Sequence, residues 1–228
     1  MDTRRIRQLA RSRRAFLRSG VALLAGSLAG RQVLAADNHS QTVAALAYAF
    51  QRETDAHRRY VEFTGRAQQD GYRGIAYMFT AFAASEGVHG RNFKALIGQL
   101  GGTVEAAPTA IKPGTTKQNL IAAVDDEIDS IDSLYPRTLE RIRPEGHAEA
   151  MRLVNFAWES ERQHRDLMQK IRRYSPVLFE RVAKAIDEKT GMYFVCQACG
   201  STLHKLPSPA CPVCASPAER YQKVPVPA

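Results

Sequence analysis

Two short patterns in this 228-residue chain place a glutamate and a histidine three residues apart: "EGVH" (Glu86, His89) and "ERQH" (Glu161, His164). On an α-helix that spacing puts both side chains on one face, about 4.5 Å apart along the axis, close enough to hold one metal ion between them. One such pair is ordinary on a wet helix surface, so the question is whether other residues complete a site. Two glutamates do so by position. Glu53 precedes Glu86 by 33 residues and Glu127 precedes Glu161 by 34, so one unit of carboxylate followed by carboxylate and imidazole occurs twice. Two Glu-x-x-His helices plus one glutamate from each of two others is the ligand set of a di-metal carboxylate bundle. Mixed carboxylate and imidazole ligation with open positions suits iron or manganese better than structural zinc.

The second candidate centre is made of sulfur. "CQAC" (Cys196, Cys199) and "CPVC" (Cys211, Cys214) are two Cys-x-x-Cys knuckles separated by eleven residues. That spacing arranges four thiolates tetrahedrally around one ion, and thiolates alone suit zinc or iron equally well. The competing reading is a pair of disulfides, which an oxidising compartment would favour.

Both centres need elements to hold them. Helical periodicity runs from about Ser40 to Gln69, stops at "DGYRG" (70–74), and resumes to Leu100 before the glycines at 101 and 102. A linker with Pro108, Pro113 and Gly114 follows, long enough to cross from one end of a helix pair to the other. Helical patterning returns from about Thr116 to Arg143, breaks at "PEG" (144–146), and continues to about Tyr174. Four long helices with one long crossover predict an all-α, four-helix, ferritin-like bundle over residues 38–174. A connecting helix or linker over 175–190 leads to a small metal-binding domain over 191–226, where Tyr, Phe, Val and proline replace the helical period.

The apolar stripes run through the candidate ligands. Leu46, Phe50, Glu53, Tyr60 and Phe63 share one helix face; Phe79, Phe82, Glu86, His89, Phe93 and Leu96 share a second; Val154, Trp158, Glu161, His164, Met168 and Ile171 share a third. The carboxylates therefore point into the core. Burying four of them without cations costs several kcal/mol each, so the pattern makes sense mainly if metal ions neutralise the charge.

The formal charge of +9 gives no case for a nucleic-acid partner. Eight arginines and the single acid Asp2 within residues 1–35 contribute +7, which leaves +2 for the rest. That N-terminal segment reads as an address: a basic region, the apolar run "GVALLAGSLAG" (20–30), and "VLA" ahead of a cut after Ala35. The run is too short to span a bilayer comfortably. "SRRAFLR" (12–18) resembles a twin-arginine export signal, with Arg13 and Arg14 as the pair. A basic amphipathic anchor that stays attached is the alternative. Export by that route, which carries folded proteins, implies the export translocon as a transient partner, a periplasmic location, and a metal that protects the thiols before they meet an oxidant.

Together these residues resemble the rubrerythrin family. The bundle is similar to it in "RETDAHRRY" (52–60), "SEGVHGRNF" (85–93), "SLYP" (133–136) and "SERQH" (160–164). The tail is similar to a rubredoxin domain in "YFVCQACG" (193–200) and "ACPVC" (210–214). The resemblance implies two irons held by Glu53, Glu86, His89, Glu127, Glu161 and His164, and an iron, alternatively zinc, held by Cys196, Cys199, Cys211 and Cys214. It implies reduction of hydrogen peroxide to water with electrons relayed from the tail. It also implies a homodimer in which the tail of one subunit lies near the di-iron site of the other. Tyr60 and Tyr135 match family tyrosines near the centre, where a phenol can hydrogen-bond a ligating carboxylate or a bound peroxide; a core aromatic with a satisfied hydroxyl is the plainer reading of each. His39, His57, His147 and His204 match no ligand position. Glu159, Asp125, Asp126, Asp129 and Asp132 read as solvated helix faces.

Two positions depart from the family pattern. Rubrerythrins usually carry a further glutamate three residues after the third-helix ligand, where this chain has Ser130; without it no carboxylate is placed to displace His89, which is expected to stay a ligand in both oxidation states. Rubredoxins normally have glycine after the second knuckle, where this chain has Ala215. A turn with positive φ there costs alanine about 1 kcal/mol, and the tail shades toward a zinc ribbon.

Three functions follow as expectations. The first is an exported di-iron peroxidase, independent of NADH in place because pyridine nucleotides are not normally available outside the cytoplasm, and fed by an unidentified periplasmic donor. The second is a ferritin-like ferroxidase that reacts with oxygen or peroxide to handle iron. The third is a non-enzymatic metal binder with zinc in the tail.

Overall fold

In a computed structural model, described over residues 39–163, 165–189 and 191–228, six helices precede a three-stranded sheet. The expected export signal (1–35) and the ligand His164 lie outside the described residues. No described helix is long and apolar enough to cross a membrane. Helices α1 (Ser40–Gln69) and α2 (Arg73–Gln99) form the first antiparallel pair, joined across Gly71, whose φ of 85° suits glycine. The crossover 100–115 carries the chain back to α3 (Thr116–Asp129), which Thr115 opens with a reciprocal capping box to Gln118. The Glu145 carboxylate caps α1 from 104 residues away, accepting from the amides of Gln41 (2.9 Å) and Thr42 (2.8 Å).

The third expected helix is not continuous. Between α3 and α4 (Tyr135–Ile142), residues Ser130–Leu134 form a π-turn, closed by the Tyr135 amide donating to the carbonyl of Ser130. Pro136 explains it: with no N–H, proline cannot bond back into the preceding turn, and the chain widens by one residue there. The widening has a geometric use. Eight residues separate Glu127 from Tyr135, which in an uninterrupted helix puts them about 80° apart; one extra residue in the turn brings them to within about 20°. Both side chains are buried as a result.

The fourth expected helix also differs. Helix α5 (Ala148–Arg162), capped by His147 Nδ1 accepting from the Ala150 amide at 3.1 Å, ends at Gln163. Helix α6 (Arg165–Lys189) then runs through Pro176, with its bend at Leu178 (φ −119°, ψ 37°), so the described part of the expected connector, 175–189, is the bend and second limb of a kinked helix. No Gly or Pro near 163 signals the first break. The core divides into two apolar clusters, one around Tyr60, Phe79, Leu120 and Ile171, the other around Leu46, Phe93, Tyr135 and Val154. The carboxylates on α1, α2, α3 and α5 lie where the two clusters meet.

The tail is a small antiparallel sheet in the order β2 (Thr202–Leu203), β1 (Phe194–Cys196), β3 (Tyr221–Lys223). Each Cys-x-x-Cys knuckle hangs on the same backbone turn. Gly200 N donates to Cys196 O (2.8 Å) and Ala215 N to Cys211 O (3.0 Å), while Cys196 N and Cys211 N donate onward to Ser201 O and Ser216 O. Both turns require positive φ, 84° at Gly200 and 57° at Ala215, so the strained alanine read from the sequence is present.

Candidate metal centres

Four glutamates converge from four helices: Glu53 (α1), Glu86 (α2), Glu127 (α3) and Glu161 (α5), each at most 9% exposed, with His89 of α2 at 1%. Ligand atoms of Glu53, Glu86 and His89, and of Glu86, Glu127 and Glu161, lie within 4.8 Å of one another, forming two overlapping sets that share Glu86. Two phenols fasten the outer pair. Tyr60 donates to Glu127 Oε1 at 2.5 Å and Tyr135 to Glu53 Oε1 at 2.9 Å.

The imidazole decides what the pocket wants. Nε2 of His89 lies 3.0 Å from the Cys199 carbonyl oxygen, which can only accept, so Nε2 carries the hydrogen and the neutral ring presents its lone pair at Nδ1. Nδ1 faces carboxylate oxygens of Glu86 (3.0 Å), Glu161 (3.4 Å) and Glu53 (3.5 Å). A lone pair facing three acceptors is repulsive unless a cation lies between them. The buried Oε1 of Glu161 has no hydrogen-bond partner among the described residues, which leaves it free for the same ion.

The ionisation of the metal-free cluster carries the same message. Burial, reinforced by Glu53 and Glu127, pushes Glu86 well above the ordinary carboxylate range, and burial with Glu127 and Glu86 does so for Glu161. Burial also raises Glu127 against the opposing hydrogen bonds from Glu161 and Tyr60. Burial works against Glu53 too, but bonding to His89, Glu86 and Tyr135 holds it below its usual value. His89 is raised: burial disfavours the imidazolium, and Glu53 and Glu161 outweigh it. Protons shared among these groups do the work that two divalent ions would do. The donor set fits two irons, with His164 the one expected ligand outside the described residues.

A narrow cleft with about 10 Å³ of free space, on the scale of a single water, reaches this cluster past Arg52, Arg59, Asp126 and Ser130. Asp126 is therefore not simply a solvated face. It lines the cleft, pairs with Arg59 at 2.7 Å, and is raised by burial despite Arg59 and Arg52. The other acids behave as exposed ion-pair partners, Asp125 with Arg172, Asp129 with Arg52, Asp132 with Arg165 and Glu159 with Arg162.

The tail sulfurs form a second closed site. Sγ atoms of Cys196 and Cys214 are 3.7 Å apart and those of Cys199 and Cys211 3.6 Å, close to the roughly 3.8 Å edge of a tetrahedron of thiolates about 2.3 Å from one ion. No disulfide joins them. The hydrogen bond from Cys199 lowers the Cys196 thiol to about 5, giving the site its first thiolate. The donor set fits one iron or one zinc.

The two centres meet. The first knuckle lies on α2, where Ser85 donates to Gly200 O (2.9 Å), His89 to Cys199 O (3.0 Å) and Asn92 to Ala198 O (2.9 Å). A Cβ on Gly200 would collide with His89 Nε2, so this glycine is required by contact as well as by φ. Within the single chain described, the sulfur site thus rests against the carboxylate site. The residues of this joint, Ser85, Ser160, Asn92 and Gly200, were not singled out from the sequence as site residues; Gly200, directly after a Cys-x-x-Cys, carried the one usable signal.

The comparisons with known proteins agree with this geometry. The family model described as rubrerythrin matches residues 44–172, more than half of the chain. Rubrerythrin of Porphyromonas gingivalis is 30% identical over 80% of this chain and 90% of its own, and rubrerythrin-2 of Clostridium acetobutylicum is 28% identical over 81% and 97%. A solved structure of nigerythrin in its fully reduced, all-ferrous state superposes with a TM-score of 0.67 at 25% identity, covering 80% of this chain and 86% of that one. With a four-helix carboxylate pocket, a four-cysteine tail and these relatives, the chain belongs to the rubrerythrin family.

Proposed function

We propose that this protein is a di-iron peroxidase that reduces hydrogen peroxide to water, taking electrons through an iron in its four-cysteine tail. The observation that carries the reading is His89, whose Nδ1 faces the carboxylate cluster while its Nε2–H is bonded to the Cys199 carbonyl. One side chain therefore spans both centres. When bound, the bundle irons supply Lewis acidity and the two electrons that cleave the O–O bond, and the tail iron replaces those electrons singly (H₂O₂ + 2e⁻ + 2H⁺ → 2H₂O).

The protein's own groups do the rest. Tyr60 and Tyr135 hold Glu127 and Glu53 in orientation by O–H donation. The cleft has room for about one water and is closed to bulky reductants, which favours electron entry through the tail. Asp126 stands at the cleft wall, where its pairing with Arg59 at 2.7 Å fixes a carboxylate at the approach to the cluster. His89 is held at Nε2 by Ser160 Oγ (2.9 Å) and Cys199 O (3.0 Å), which keeps Nδ1 aimed at the carboxylate cluster. It therefore stays a ligand in both oxidation states.

The test is peroxide added to the fully reduced, iron-loaded protein. The red colour of the ferric tail should return within the mixing time, and repeated cycles should follow when a donor is supplied. A tail that stays reduced would defeat the reading. Ser130, a small hydroxyl at the cleft where rubrerythrins usually carry a carboxylate, favours the ferroxidase alternative, which predicts net uptake of ferrous iron with oxygen and no need of the tail. We further propose a homodimer, in which exchange of tails would recreate the same knuckle-to-α2 contacts, and a periplasmic location with a redox-protein or quinol-linked donor. Fractionation finding an uncleaved chain in the cytoplasm would remove the last proposal.

A further inference from the structure

The sulfur of Cys211 is the end of a buried line of hydroxyls that begins in the bundle. Tyr221 Oη lies 3.1 Å from Cys211 Sγ and 3.0 Å from Ser201 Oγ, and Ser201 Oγ lies 2.8 Å from Oε1 of the Gln163 amide, whose oxygen and nitrogen can exchange places by a half-turn. Tyr221 is 7% exposed, Cys211 4% and Ser201 0%, so water cannot serve these groups easily and the protons must be counted. Each hydroxyl has one. If Ser201 donates to the Gln163 oxygen, Tyr221 is drawn to donate to Ser201, and its oxygen lone pairs face a metal-bound thiolate. If the Gln163 amide is turned to present its N–H, Ser201 accepts from it and donates to Tyr221, and Tyr221 donates to sulfur. Both orders pair the two hydroxyl protons, but only the second also gives the thiolate a donor, and an anion is the strongest acceptor in the line; the amide orientation is chosen on that ground.

We infer that Tyr221 is a positioning residue of the four-cysteine centre: it donates a hydrogen bond to the Cys211 thiolate, is aimed there by Ser201 and Gln163, and makes a bound iron easier to reduce. The sign follows from charge. Reduction places more negative charge on the sulfurs, so a donor stabilises the reduced form more than the oxidised one. A phenol keeps its proton across the neutral range, so Tyr221 has one to donate. Gln163 is the C-cap of α5, two residues after Glu161, so the helix that supplies a bundle ligand also sets the electron relay. The part concerning iron rests on the proposed function; the hydrogen bond does not.

Full-length Tyr221→Phe keeps the ring and removes the donor, and two readouts separate the claims. In the cobalt(II)-loaded protein, the sulfur-to-metal charge-transfer band should move to lower energy in Tyr221→Phe, because the thiolate has lost its donor. In the iron-loaded protein, the fraction of tail iron reduced at the wild-type midpoint should fall from half to about one in ten, a tenfold change or 59 mV for one electron. Ser201→Ala, which removes the aiming group alone, should move both readouts the same way by less. An unmoved cobalt band in Tyr221→Phe overturns the hydrogen bond, and a Ser201→Ala protein identical to wild type overturns the aiming. A moved band in a protein purified without iron upholds the bond and removes the peroxidase relay.

Discussion

The two cysteine knuckles are built on one backbone plan and meet different fates. Each ends in a residue of positive φ whose amide closes the turn on the first cysteine's carbonyl. At the first knuckle that residue is Gly200, pressed against His89 and Ser85 so closely that no side chain fits. At the second it is Ala215, exposed to solvent, where a methyl group meets only conformational strain. Glycine is thus needed twice over where the tail touches the bundle, and only once where it does not. The first knuckle bonds to α2 directly through its backbone, while Cys211 of the second reaches the bundle only through Tyr221 and Ser201.

The largest test of that difference is Gly200→Ala. Overpacking against His89 together with left-handed strain should cost about 2–4 kcal/mol and lift the first knuckle from α2, seen as a lower Tm and as loss of peroxide-driven reoxidation of the tail. In a His89→Ala background the same substitution should cost little more than the strain, about 1 kcal/mol, with Ser85 Oγ the remaining close neighbour, and a double-mutant cycle without that coupling would show the His89 contact to be unimportant.

Metal removal should separate the knuckles next. In chelated protein, amide exchange at 211–215 should accelerate more than at 196–200, because the first knuckle keeps its bonds to Ser85, His89 and Asn92. The chelated protein should also lose stability as pH rises. Glu86, Glu127 and Glu161 have raised pKa values in the folded chain, so their contribution is present below the ordinary carboxylate range and disappears as pH climbs through the folded values. Loaded protein, with cations in place of protons, should show little of this slope. The smallest effect is expected from Ala215→Gly, a gain of about 1 kcal/mol in the tail's thermal transition with no change in the bundle.

The candidate ligands were legible because their chemistry is local. Glu53, Glu86, His89, Glu127 and Glu161 announce themselves by helical spacing inside apolar stripes, and the cysteines by their knuckles. What is built between distant segments was not legible. The contact of His89 with Cys199 spans 110 residues and that of Ser201 with Gln163 spans 38, and no periodicity encodes either. The same limit hid the role of Tyr221, whose place in β3 reads as an ordinary strand aromatic. The π-turn lay between these cases: Pro136 was visible, but helices begin at proline as readily as they widen before it, and only the inward pointing of both Glu127 and Tyr135 selects the second outcome.

That turn has a further result. Widening the helix sends the Tyr135 amide to Ser130, and Pro136 has none to offer, so the carbonyl of Ile131 loses its usual helical partner and instead accepts from the indole N–H of Trp158 at 2.9 Å. Trp158 is the chain's single tryptophan. Its fluorescence is therefore a natural, label-free gauge of the turn that sets Tyr135 on Glu53: emission should shift to the red when the turn opens to water, and stay fixed while the carboxylate pocket keeps its shape.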